Sequence, residues 1–327
     1  MFASHIDKKI TTPDVDMVPS RNGYGEGLVA AGEQNEQVVA LCADLTESTR
    51  THLFKEQFPE RFVQVGIAEQ NMASVASGMA AMGKVPFIAS YAMFSPGRNW
   101  EQVRTTIAYN DANVKLIGAH AGISVGPDGA THQAIEDMAL MRVVPNMVVI
   151  APADSVEAKK AVVAAAQYQG PVYIRVGREK TPVVTTEASP FAIGKAEMML
   201  DKYASSERSV GIVVTGTLLY VALVAGRELN EQGIAVSVLH MPTVKPLDTE
   251  ALASLAAEHD SIVTVEEHQA IGGLGGAVCE YLSETNPKKV GRVGVHDMFG
   301  QSGTPEELMA HYGLDQAAIV KKVKEVV

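Results

Sequence analysis

Four short segments carry residues whose types and spacing suit chemistry. In Gly66-Ile-Ala-Glu69-Gln-Asn71, a carboxyl follows the strand-like Phe62–Val65 and opens a helical pattern among apolar neighbours Ile67, Ala68, Met72 and Ala73. A carboxyl so placed can share a proton with a ring nitrogen; the blander reading is a first-turn acid matching the helix dipole. Next, Tyr91, Phe94 and Trp100 cluster with Arg98 in a loop after an apolar run. They offer a face for stacking a flat heterocycle, or simply close a core edge. The glycine-rich stretch from His120 to Gln133 places His120, Asp128 and His132 together, a set suited to hydrogen bonds with a polyhydroxylated substrate. His132 and Glu136 are four apart, but the HExxH spacing of zinc sites is missing, so metal binding is not expected. Finally, Gly272-Gly-Leu-Gly-Gly276 lacks GxGxxG spacing and a suitable downstream acid, which favours a tight turn and close helix packing over a dinucleotide site.

The elements that must position these residues alternate between strands and helices. The runs Val38–Ala43, Val85–Ser90, Val114–Ala119, Met147–Ala151 and Val172–Val176 are predominantly apolar, the pattern of strands buried on both faces of a parallel sheet. Helical spacing falls between them at Glu69–Met82, Asn99–Tyr109, Thr131–Val143 and Asp154–Tyr168, with Thr131 and Asp154 as candidate N-caps. Residues 179–191 are polar and proline-containing and read as a linker. Strands are then expected at Ile212–Val214, Ala235–Leu239, Ile262–Val265 and Val293–Val295, and helices at Leu218–Gln232, Asp248–His259, Leu274–Ser283 and Leu314–Val327. The expected fold is α/β: two doubly wound domains with mainly parallel sheets, residues 20–178 and 192–327, behind an N-terminal arm of residues 1–19.

Composition narrows the partners. With 327 residues, two domains are the prior. A net charge of −11 disfavours nucleic acid and anionic membrane surfaces, so an anionic substrate must be caught by local cations. Two distant cysteines, Cys42 and Cys279, make a disulfide framework or structural zinc site unexpected. The N-terminal residues lack a signal-peptide pattern and no apolar stretch is long enough to span a bilayer, so a cytoplasmic protein is expected.

Taken in order, Asp44-Leu-Thr-Glu-Ser48, GIAEQNM, YAMF, VGPDGATHQ and the ending Phe299-Gly-Gln-Ser-Gly-Thr-Pro-Glu resemble the transketolase family over nearly the whole chain after about residue 20. The likeness is to the pyrimidine-binding and C-terminal domains only. No Gly-Asp-Gly occurs, whereas the family uses that motif to hold thiamine diphosphate through magnesium. The resemblance therefore implies the C-terminal subunit of a split transketolase, joined to a diphosphate-binding subunit that carries most of the Mg2+ contacts, in a dimer of heterodimers acting on sugar phosphates. It implies that Glu69 hydrogen-bonds the thiamine aminopyrimidine, that Tyr91 and Phe94 pack on that ring near Arg98, and that Asp44 lies beside the cofactor. Asp128 and His132 would contact sugar hydroxyls, while His120, Ser48 and Arg178 would grip the substrate phosphate, with His120 and Arg178 as the cations. The loop Ser95-Pro-Gly97 departs from full-length transketolases in lacking a third aromatic. Deoxyxylulose phosphate synthases share several of these residues but lack a match to His120. Ketoacid dehydrogenase β-subunits share the GIAEQ motif without the GPDGATHQ loop. A non-catalytic protein of the same fold would be expected to have lost Glu69 or His132.

Overall fold

The computed structural model describes every residue except 205 and 207. Fourteen strands are described: β1 (Met17–Pro19), β2 (Val38–Cys42), β3 (Phe62–Gln64), β4 (Val85–Tyr91), β5 (Lys115–Ala119), β6 (Val148–Ile150), β7 (Val172–Arg175), β8 (Lys180–Pro182), β9 (Glu197–Leu200), β10 (Ser209–Val214), β11 (Ala235–His240), β12 (Thr243–Lys245), β13 (Ser261–Gln269) and β14 (Lys289–Val295). The helices are α1 (Ser20–Gln34), α2 (His52–Gln57), α3 (Glu69–Ala81), α4 (Trp100–Gln102, widening into a π-helix over Val103–Ala108), α5 (Asp137–Arg142), α6 (Ser155–Gln167), α7 (Leu219–Glu231), α8 (Thr249–Glu258), α9 (Leu274–Thr285), α10 (Pro305–His311) and α11 (Gln316–Val326).

Two sheets organise the chain. The first has the order β12-β6-β7-β5-β4-β2-β3 and is parallel apart from β12; the second has the order β14-β13-β10-β11-β9 and is parallel apart from β9. Every residue of β2, β5, β6 and β7 is buried, as helices on both faces require. The two charged residues among them have partners: Lys115 the carbonyls of Tyr168 and Gly170, Arg175 the carboxylate of Asp137. Helices α1 and α6 cover one face of the first sheet, and α3, the π-helix and α5 cover the other. The two covering helices α1 and α6 approach so closely that a Cβ on Gly23 would lie 1.8 Å from the Ser155 carbonyl oxygen.

Residues 179–191, read as a linker, are pinned in place: β8 pairs with β1 of the arm, and the Lys160 ammonium binds the carbonyls of Thr186, Glu187 and Ser189. Two sequence expectations need correction. The chain does not divide cleanly at residue 192, because β12 leaves the second half to join the edge of the first sheet beside β6. Thr131 caps no helix; the segment before Asp137 is loop, held there because Gln133 Nε2 donates to the carbonyls of Ile123, Gly126 and Gln301. Asp154 does cap α6, accepting from the Glu157 N–H.

A buried ion pair locks the halves together. His240 of β11 places Nε2 2.8 Å from Glu157 Oε2 of α6, with Nδ1 3.3 Å from the Val214 carbonyl oxygen. Burial is the largest influence on the ring and opposes its charge, but Glu157, the Val214 carbonyl and Asp154 together outweigh it and raise the pKa above 6.5. A folded pKa above the unfolded value means stabilisation is complete below about pH 6.5 and is lost as pH rises through the folded pKa. Wild-type protein is therefore expected to lose more thermal stability between about pH 6 and 9 than His240→Gln does. Parallel melting profiles for the two proteins would show that the pair carries no pH dependence.

Candidate active site

The carboxyl ends of β2, β3, β4, β5 and β7 all open on one crevice, the place where ligands bind in open parallel sheets. Glu69 begins α3 directly after the loop leaving β3 and is only 1% exposed. Its Oε1 accepts from Ser90 Oγ at 3.2 Å and its Oε2 from Arg98 Nη1 at 2.7 Å. Asn99 Nδ2 donates to the Glu69 carbonyl, fixing the start of the helix against the aromatic loop. Two hydrogen bonds leave the carboxylate with lone pairs to spare. Arg98 is 46% exposed, so it has room to move aside.

The aromatic loop supplies the wall. Tyr91 and Phe94 lie nearly parallel, 25° apart with centroids 6.1 Å distant. His132 meets Phe94 edge-on at 5.5 Å, and the Arg98 guanidinium sits over the Phe94 ring at 4.6 Å. Arg98 therefore links the carboxyl to the aromatic face. The departure at Gly97 has a steric reason: a Cβ there would fall 2.0 Å from the Met93 carbonyl oxygen, so the turn excludes any side chain.

His120 follows β5 with a positive φ of 53° and packs tilted against Tyr91, ring centroids 4.0 Å apart. Arg21 Nη1 donates both to His120 Nε2 at 3.0 Å and to the Ser48 carbonyl at 2.9 Å. Arginine has no acceptor, so Nε2 must be the unprotonated nitrogen and Nδ1 carries the hydrogen. Burial, then Arg21, Arg178 and Arg50, push the His120 pKa down to about 3. The expectation that His120 is one of the anion-catching cations is thus corrected: it is a neutral donor. The positive charges nearest His120 are Arg21 at the start of α1, Arg178, and Arg50 after β2; neither Arg21 nor Arg50 is marked by any motif. Buried His120 Nδ1 and Arg21 Nε both lack hydrogen-bond partners among the described residues, the state expected of groups awaiting a ligand.

The glycine-rich loop forms the remaining side. Arg178, just beyond β7, donates to the Val125 carbonyl at 2.8 Å and stands 3.4 Å from both Asp128 Oδ2 and Glu179 Oε1. The pairing with Glu179 is the bland alternative for this arginine, and it exists here alongside the link to Asp128. Glu267 of β13 reaches across to accept from the Ser124 N–H at 2.7 Å and Thr217 Oγ1 at 3.0 Å. A Cβ at Gly122 would lie 2.1 Å from that carboxylate, so the loop is shaped around it. Glu267 and Gln133 support the loop; Gln133 closes the VGPDGATHQ motif, whereas no sequence pattern marks Glu267, whose partners Ser124 and Thr217 are distant in the chain. Asp44 stands apart: it is exposed, its N–H bonds Gln64 Oε1, and no direct contact ties it to the others. Glu69, Arg98, Phe94, Tyr91, His132, His120, Arg21 and Ser48 form one continuous chain of contacts.

The second glycine-rich turn is already filled. Glu266 accepts from the N–H groups of Leu274 and Gly275 at the start of α9, the place a nucleotide phosphate would take. Among the described residues, no three His, Cys, Asp or Glu side chains converge to hold a metal, and no helix is long and apolar enough to cross a membrane.

Comparison with known proteins gives this crevice a family. Residues 16–183 match the transketolase pyrimidine binding domain and residues 202–319 the transketolase C-terminal domain. The chain is 45% identical to a putative transketolase C-terminal section of Methanocaldococcus jannaschii, over 93% of this chain and 95% of that protein. It is 37% identical to one of the subunits of an apulose-4-phosphate transketolase of Phocaeicola vulgatus, over 95% of this chain and 98% of that protein. A solved structure described as a split gene transketolase, inactive beta4 tetramer, superposes with a TM-score of 0.87 at 44% identity, covering 94% of this chain and 98% of that one. The chain belongs to the transketolase family of transferases, as its pyrimidine-binding and C-terminal domains.

Proposed function

We propose that this chain works with a separate diphosphate-binding subunit to transfer a two-carbon ketol unit from a ketose phosphate to an aldose phosphate. The observation that carries the reading is the Glu69 carboxyl, buried at a helix start beside the parallel faces of Tyr91 and Phe94. Thiamine diphosphate, which the family implies, fits this arrangement on its pyrimidine side: Glu69 is a carboxyl for a ring nitrogen, and Tyr91 and Phe94 are apolar faces for the ring. When bound, the cofactor supplies the carbanion and electron sink for carbon–carbon cleavage. Glu69 holds the shared proton at Oε2 or Oε1, and Arg98 yields the position it occupies. Asp44 borders the cofactor from the loop after β2. His132 and Asp128 receive the sugar hydroxyls, the neutral His120 donates through Nδ1, and Ser48, Arg21 and Arg178 meet the phosphate.

Absence of a Gly-Asp-Gly element and of a metal-holding cluster among the described residues supports assigning magnesium to the partner. The similar chain that forms a four-copy assembly is described as inactive, which supports the same division of labour. A dimer of two such pairs acting on pentose-type sugar phosphates in the cytoplasm is the arrangement proposed; the free Cys42 and Cys279 suit a reducing compartment. The decisive experiment is co-expression with the Gly-Asp-Gly-bearing subunit, followed by a coupled ketol-transfer assay. Calorimetry on the isolated chain is expected to show no magnesium-dependent thiamine diphosphate binding in the micromolar range. Such binding without a partner would overturn the split-site reading.

A further inference from the structure

Arg50 lies where the crevice meets α1, and it is placed with care. Its backbone takes the left-handed conformation, φ 69°, and its Nε donates to Asn22 Oδ1 at 2.9 Å. Helix α1 gives way to it, because a Cβ at Gly25 would sit 2.8 Å from the Arg50 Cβ. Asn22 adjoins Arg21, so Arg50 is anchored to the same turn of α1 that carries Arg21, near enough for its charge to act on it. Neither has an ion-pair partner among the described residues, whereas Arg98, Arg175 and Arg178 each face a carboxylate. Arg21 feels its neighbours: burial first, then Arg50 and Arg178, lower the Arg21 pKa, with Glu179 as an opposing acid. Two uncompensated guanidiniums beside buried, unpartnered Arg21 Nε and His120 Nδ1 call for an anion.

We propose that Arg50 is a specificity-determining residue, a second guanidinium that together with Arg21 selects substrates ending in a phosphate dianion. The proposal rests on the sugar-phosphate reading above and adds to it the residue that supplies the extra charge. Arg178 already shares its charge with Asp128 and Glu179, whereas Arg50 contacts only an amide, so its full charge is available to the ligand. Its guanidinium supports no backbone carbonyl, so removing it spares the fold, in contrast to Arg21, which holds the Ser48 carbonyl.

The test is calorimetry at low ionic strength on the assembled complex of this chain and its diphosphate-binding subunit, titrated with D-ribose 5-phosphate and with unphosphorylated D-ribose. Wild type is expected to bind the phosphate ester selectively. Arg50→Gln should weaken that binding about tenfold, as loss of one charged hydrogen bond implies, and Arg50→Lys should restore most of it. Binding of ribose 5-phosphate that is absent in wild type, or unchanged in Arg50→Gln, overturns the proposal. Arg50-dependent phosphate binding in a chain whose assembled complex shows no ketol transfer would leave this assignment standing and remove the transketolase activity instead.

Discussion

Glu69→Gln in the assembled two-subunit enzyme is expected to lower ketol transfer by about 10²-fold or more with saturating cofactor, the scale on which acid–base assistance is lost. An amide keeps the size and the hydrogen bond with Ser90 but cannot pass a proton to a ring nitrogen. The fold should survive, because the charge left without its partner is Arg98, which is 46% exposed and can be solvated, so no unpaired charge is buried. Turnover and a thermal melt measured on the same preparation separate the two effects. Near wild-type turnover would remove Glu69 from the chemistry, and a collapsed melt would mean that the residue serves the start of α3.

Arg178→Ala should fall almost entirely on the phosphorylated substrate. Losing a charged hydrogen bond to phosphate costs roughly 1.5–3 kcal/mol, about ten- to a hundredfold in kcat/KM. Its contacts with Asp128 and Glu179 are long, at 3.4 Å, and the side chain is 32% exposed, so an incoming dianion can displace them. Hydroxypyruvate carries no phosphate and should be used nearly as well by the variant as by wild type. Comparing kcat/KM on both donors is the measurement. Equal losses on the two donors would show that Arg178 acts by bracing the Val125 carbonyl and the glycine-rich loop. Arg21 is the poorer test of the same idea, since it also positions His120 and Ser48.

The parallel sheets and most of the crevice are legible in the order of residues alone. A run such as Val38–Cys42 has no polar face, and only a strand covered on both sides can bury it. Glu69, Tyr91, Phe94, His120 and Arg178 can be named because each lies just past such a run, and strand ends are where an open sheet presents its ligands. Local pattern fails where long-range packing decides. Helix α1 carries four glycines (Gly23, Gly25, Gly27 and Gly32), a composition that argues against a helix. It forms because α6, Arg50 and Phe54 press so closely against it that no Cβ would fit. Hidden with that helix is Arg21, the guanidinium that contacts His120 and the Ser48 carbonyl. The neutrality of His120 is equally illegible, since it follows from burial among three arginines drawn from distant parts of the chain. Strand β12 pairs across the halves, and Glu267 and Gln133 hold a loop through partners remote in sequence. Spacing reports which residues share an element; charge, protonation and support depend on what the folded chain brings within a few ångströms from elsewhere.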